Sequence, residues 1–150
     1  MGGLTNHYVI NLSRVEGLSM APSIAENSFV ISILKPTLNL FKRPFLFGHI
    51  YILQPASYKE KLIKRLVAGP KDVVWIDNGV IFVNGENKTA QFQIPEIKKD
   101  APLTCKYFAK YQLPEEKYFF IGDNLCDALD SRKLGGISSN EIIGEVVYQF

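Results

Sequence analysis

Val73-Val74-Trp75-Ile76-Asp77-Asn78-Gly79-Val80-Ile81-Phe82-Val83 is the stretch that decides the fold class. Two four-residue runs of β-branched and aromatic residues flank Asp-Asn-Gly, and Asn and Gly tolerate the positive φ of a tight hairpin turn. Asn84-Gly85 offers a second turn of the same type. Working outward, similar runs recur on both sides. Residues 28–34 are β-rich and end at Pro36, 50–53 are closed by Pro55, and 62–68 are broken by Gly69-Pro70. Residues 118–121 and 142–150 complete the series. The expected fold is therefore all-β and poor in helix. Between the hairpin and residues 118–121, residues 86–116 are polar and lysine-rich, with Pro95, Pro102 and Pro114. They read as an irregular insertion, with a short helix over 105–112.

Composition narrows the classes. The 150 residues fit a single domain, 1–150, with a sizeable core. Hydrophobic content of 47% and charged content of 21% are those of an ordinary globular protein. Seventeen basic and 15 acidic residues leave a net charge of +2, too small for strong electrostatic binding to nucleic acid. No run of about 20 apolar residues exists, so no bilayer-spanning helix is expected. Tyr8-Val9-Ile10 soon gives way to Asn11 and Ser13 and is no secretory signal either. A membrane anchor would lie outside this chain or come from a partner. Cys105 and Cys126 are too few and too far apart for a zinc site, and both a disulfide and two free thiols stay open.

Three segments carry chemistry: Gly17-Leu18-Ser19-Met20-Ala21-Pro22-Ser23, Leu62-Ile63-Lys64-Arg65-Leu66-Val67, and Gly122-Asp123-Asn124 with Asp130-Ser131-Arg132. A serine before a proline turn needs a base, and neither His7 nor His49 sits in a triad-like motif. In a strand over 62–68, Leu62, Lys64 and Leu66 share one face and Ile63, Arg65 and Val67 the other. On an inward face Lys64 loses hydration, and it serves as a base near neutral pH if it titrates roughly 2–3 pH units below about 10.4. On an exposed edge it would be ordinary. Under the first reading Ser19 attacks, its own N–H helps to hold the oxyanion, Gly17 lets a substrate backbone approach and Met20 packs beneath. Asp123, Asp130 and Arg132 gather two carboxylates and a guanidinium at one chain reversal, a group that could fix Arg65.

Together these boxes resemble the signature segments of type I signal peptidases, in the family's order. Val83-Asn84-Gly85-Glu86 and Ile142-Ile143-Gly144-Glu145-Val146-Val147 are similar to family segments as well. The resemblance implies a signal peptidase-like antiparallel β-barrel or coiled sheet with an exposed hydrophobic surface near the membrane. It implies endoproteolysis of exported preproteins after small residues, at Ala-x-Ala sites, with no metal or other cofactor. Ser19 is then the nucleophile and Lys64 the general base, supported by Arg65, Asp123, Asp130, Ser131 and Arg132. The partners implied are preprotein signal peptides and a membrane surface, at the extracytoplasmic face of the bacterial inner membrane or at the mitochondrial inner membrane. The lead-in Val15-Glu16-Gly17 and the Pro22-Ser23 pair are also similar to the mitochondrial branch.

Departures from the family pattern are local. Ala128 stands where many members carry a serine that orients the lysine. Gly17 offers no side-chain hydroxyl to an oxyanion, and His49 and Lys71 replace an aspartate and a glycine. Ala128 motivates one rival, a non-catalytic relative that binds signal peptides or assists a partner peptidase. A self-cleaving repressor with the same dyad would need a helix-turn-helix ahead of Ser19, where only 18 residues stand. Phe29, Leu40, Phe41, Phe45, Leu46 and Phe47 are either a membrane-facing surface or ordinary core.

Overall fold

The computed structural model describes residues 10–150, so His7 and most of Tyr8-Val9-Ile10 lie outside the described residues. The hairpin at the centre of the sequence forms as expected. β5 (Val73–Asp77) and β6 (Val80–Val83) pair antiparallel through Asn78 and Gly79, both at positive φ. With β7 (Glu86–Asn87) and β8 (Phe108–Gln112) they make a four-stranded sheet of order β7-β6-β5-β8. Among the described residues the larger sheet has seven strands. In spatial order they are β1 (Ile10–Arg14), β2 (Phe29–Leu34), β11 (Ile142–Gln149), β3 (Ile50–Leu53), β4 (Leu62–Ala68), β9 (Lys117–Ile121) and β10 (Ile137–Ser138). Every pairing is antiparallel. Of the two forms expected, the sheet takes the open one: it ends at β1 and β10 and does not close into a barrel.

Among the described residues helix is confined to α1 (Lys35–Leu40), α2 (Leu103–Lys106), α3 (Ser131–Leu134) and a 3₁₀ turn at Ser139–Glu141. Within 86–116 the expected helix over 105–112 is corrected. Helix stops at Lys106, and Phe108–Gln112 instead pairs with β5, because Phe108 and Tyr111 pack against the core around Phe119. The lone Pro36 has a second meaning. It ends β2 and also opens α1, where its fixed φ and missing N–H suit the first helical turn.

The central strand β4 lies between β3 and β9 and is buried from Lys64 onward. Its residues feed three apolar clusters. Leu66 packs with Tyr51, Leu53 and Phe120, Val67 joins Val74, Ile76 and Phe119 under the small sheet, and Ile63 meets Val15, Met20 and Ile24. A buried side chain on β4 is thus held from three sides. That is the structural reason a lysine placed there is both desolvated and fixed.

The apolar run proposed for a membrane surface divides. Leu40, Phe41 and Phe47 are exposed, as is Phe29. Phe45 instead packs edge-on against Tyr51 and Tyr118, and Leu46 is half-buried. No helix among the described residues is long and apolar enough to cross a membrane. Cys105 and Cys126 form a disulfide that ties α2 to the loop after β9.

Candidate active site

Lys64 is 2% exposed, which excludes the exposed-edge alternative. Its Nζ donates to Ser19 Oγ at 2.8 Å and to the carbonyl of its neighbour Ile63 at 2.9 Å. Burial pulls its pKa down to about 8, against the nearby carboxylate of Asp130, which raises it. A lysine in this state gives up its proton just above neutral pH. Ser19, half-buried, therefore faces a base-competent amine across one hydrogen bond.

Ser19 sits in a turn that local sequence and distant residues build together. The Ala21 N–H bonds back to the Leu18 carbonyl and the Ile24 N–H to that of Met20. Gly17, at φ +82°, supplies the left-handed backbone conformation by which the chain enters the turn. Met20 is buried beneath, and its sulfur receives the Asp123 N–H. Among the described residues nothing accepts from the Ser19 N–H, which leaves it free for an oxyanion.

The strand end after β9 then clamps the turn from the other side. Asn124 donates its backbone N–H to the Ser19 carbonyl at 2.9 Å and its side-chain amide to the Leu18 carbonyl at 3.1 Å. Gly122 lies against the same turn: a Cβ there would stand 2.7 Å from the Ser19 carbonyl oxygen and 2.4 Å from the Ala128 methyl. Only a residue without a side chain fits.

The supporting charges make two separate pairs, not the single group expected around Arg65. Arg65 grips Asp123 with both prongs, Nε to Oδ1 at 2.8 Å and Nη2 to Oδ2 at 2.6 Å, and sends Nη1 to the Gly48 carbonyl. Asp130 instead takes Arg132 in a bidentate pair and accepts the Gly122 N–H. Ser131 accepts the Phe120 N–H and so fastens α3 to β9. The physical reason is reach. Asp130 caps α3 next to Arg132, whereas Asp123 lies two residues past Ile121, the β9 residue that pairs with Arg65.

Sequence reasoning missed Ser23, whose hydroxyl donates to Asp123 Oδ2 at 2.5 Å across 100 residues of chain. It also missed the ties from Asn124 and the Ile63 carbonyl. The first signal available was the Pro22-Ser23 pair, but a hydroxyl in a turn usually bonds its own backbone. His49, the one described histidine, is engaged by buried Glu145, which also pairs with Arg43.

Beside the dyad runs a cleft of about 470 Å³, walled on one side by Ser13 to Glu16 and on the other by Glu60 to Lys64, with Met20 and Ile52 between. Fold and site together have the form of a serine hydrolase. Comparison with known proteins is specific: the chain belongs to the family described as signal peptidase, peptidase S26, whose model matches residues 1–150. It is 36% identical over 138 residues to signal peptidase I P of Bacillus subtilis subsp. natto, covering 87% of this chain and 71% of that one. Against signal peptidase I of Bacillus amyloliquefaciens it is 31% identical, over 98% of this chain and 77% of the relative. A crystal structure of a signal peptidase I from Enterococcus faecalis V583 shares the fold, at a TM-score of 0.53 and 20% identity, over 70% of this chain and 98% of that one.

Proposed function

We propose that this chain is a serine endopeptidase that removes signal peptides from exported preproteins, with Ser19 as nucleophile and Lys64 as general base. The observation that carries the proposal is the 2.8 Å contact between Ser19 Oγ and a lysine that is 2% exposed. Neutral Lys64 takes the Ser19 proton as Oγ attacks the scissile carbonyl carbon, and the Ser19 N–H receives the developing oxyanion. The lysine then gives that proton to the leaving amine, which departs with the mature protein. Water next attacks the acyl-serine, passing its proton to Lys64, which returns it to Ser19 Oγ as the acyl–oxygen bond breaks and the signal peptide leaves with a new carboxylate.

The substrate lies extended in the cleft between residues 13–16 and the start of β4, where strand-like backbone bonds hold it. Its small side chains at the minus-one and minus-three positions meet shallow apolar walls. The Ile63 carbonyl, beside Lys64 Nζ, takes the orienting part left open by Ala128. This favours an active peptidase over a relative that only binds signal peptides, since binding alone has no use for a costly buried amine. The chemistry is assigned to one peptidase domain, 1–150, with 86–116 as an insertion. Exposed Ile10, Leu12, Phe29 and Tyr148 on neighbouring strands β1, β2 and β11, with Phe150 just past β11, rest on the membrane surface, on its extracytoplasmic side.

The test is cleavage of a preprotein bearing an Ala-x-Ala site, in detergent, by the parent chain and by Ser19→Ala and Lys64→Ala. Cleavage at that site by the parent and its loss in both variants is expected. Binding of the preprotein without cleavage by the parent would replace this reading with the non-catalytic one.

A further inference from the structure

The turn that carries Ser19 separates two clefts, and the reaction described above uses only one. Ser19 and Met20 line the first, and Ala21 and Pro22 line a second of about 530 Å³. Its floor is the chain from Asp123 to Cys126, and its far wall is the coil from Pro95 to Pro102. Asn124 belongs to this floor and also holds the Ser19 and Leu18 carbonyls, so the second cleft begins beside the nucleophile. Both volumes fall in the range of working ligand sites.

We propose that this second cleft binds the part of the preprotein that follows the scissile bond, an extended segment of the mature chain. The inference rests on the peptidase reading. A peptide held in the first cleft and cut at Ser19 must continue past the nucleophile turn, and the second cleft opens at that turn. Its wall is suited to a peptide. Residues 94–98 belong to neither helix nor strand. Among the described residues nothing accepts from the N–H groups of Glu96, Ile97 or Lys98. Backbone groups left open along a cleft wall are what an extended segment pairs with. The wall is also held in place. The Cys105–Cys126 disulfide joins the helix that follows Pro102 to the floor, and Ile97 is anchored where its side chain fills the space over Gly79.

The experiment uses two peptides with the same signal sequence and Ala-x-Ala site, one ending a single residue beyond the cut and one extending six. Their kcat/KM is measured on the parent chain, and their Kd by fluorescence anisotropy on Ser19→Ala, which binds without cutting. The long peptide is expected to win by about tenfold in both, the worth of one or two net hydrogen bonds. Ala101→Trp, within the cleft, and Lys98→Trp, on its exposed wall, should each abolish that advantage and leave the short peptide unchanged. Equal handling of the two peptides by the parent would overturn the proposal, as would an advantage that survives both tryptophans. A long-peptide preference in Kd, lost in the tryptophan variants, with no cleavage of either peptide would overturn the peptidase reading alone and leave the cleft assigned.

Discussion

Replacing Lys64 by methionine should make the protein inactive and, below pH 8, more stable. The side chain keeps its length and apolar stem but loses its charge. Burial has brought the lysine from its ordinary 10.5 to about 8. At 1.36 kcal/mol per pH unit, holding the charged form there costs the fold on the order of 3 kcal/mol. Against this, the variant loses the bonds to Ser19 Oγ and the Ile63 carbonyl, each worth about 0.5–1.5 kcal/mol net. The balance is a gain of roughly 0.5–2.5 kcal/mol, or about 1–10 °C in Tm for a chain of this size. The pH dependence fixes the cause. Between pH 8 and 10.5 the unfolded chain keeps a lysine proton that the folded protein releases, so the parent's stability rises with pH across that window. Below pH 8 both states are charged and the full cost is present. The advantage of Lys64→Met should therefore be constant at pH 6–7.5, shrink above 8 and vanish or reverse by 10.5. Urea unfolding at a series of pH values measures it. A variant no more stable than the parent at pH 7, or a difference that stays flat up to pH 10, would refute the argument.

Three further substitutions probe the frame around the dyad. Gly122→Ala drives a methyl to 2.7 Å from the Ser19 carbonyl, so activity should drop by about 10²-fold or more. Its stability should fall by about 1–3 kcal/mol, seen by urea unfolding beside a cleavage assay. Asp123→Asn strands a buried guanidinium and should cost about 3–5 kcal/mol in the same unfolding assay. Ser23→Ala removes one hydrogen bond to that same carboxylate and should cost about 1–3 kcal/mol, clearly less than Asp123→Asn.

Much of the sheet architecture was legible because its strands are dense in β-branched and aromatic residues and end at Pro, Gly or Asn-Gly. The exceptions have separate causes. β1 alternates Ile10 and Leu12 with polar residues, yet both apolar side chains face solvent, so a burial argument had nothing to mark. β8 reads as helix locally and becomes a strand only because β5 offers an edge and the core takes Phe108. For the site, the alternation over 62–68 gave the faces of Lys64 and Arg65 but not their burial, which depends on β4 having neighbours on both sides. Charge partners were the least legible. Nothing in the spacing tells Asp123 from Asp130 as the partner of Arg65, and Ser23 finds Asp123 only through the fold. The disulfide likewise needed the loop after β9 to meet α2.

The central claim is that Ser19 is activated by a neutral, buried Lys64, and the pH dependence of kcat/KM reads it most directly. Peptide cleavage measured from pH 5.5 to 10 should rise tenfold per pH unit and level off around an apparent pKa of about 8, the value burial gives this lysine. Replacing His49, the one described histidine, should leave that rise in place. A rise abolished by the His49 replacement, or a rate unchanged across the range, would contradict it.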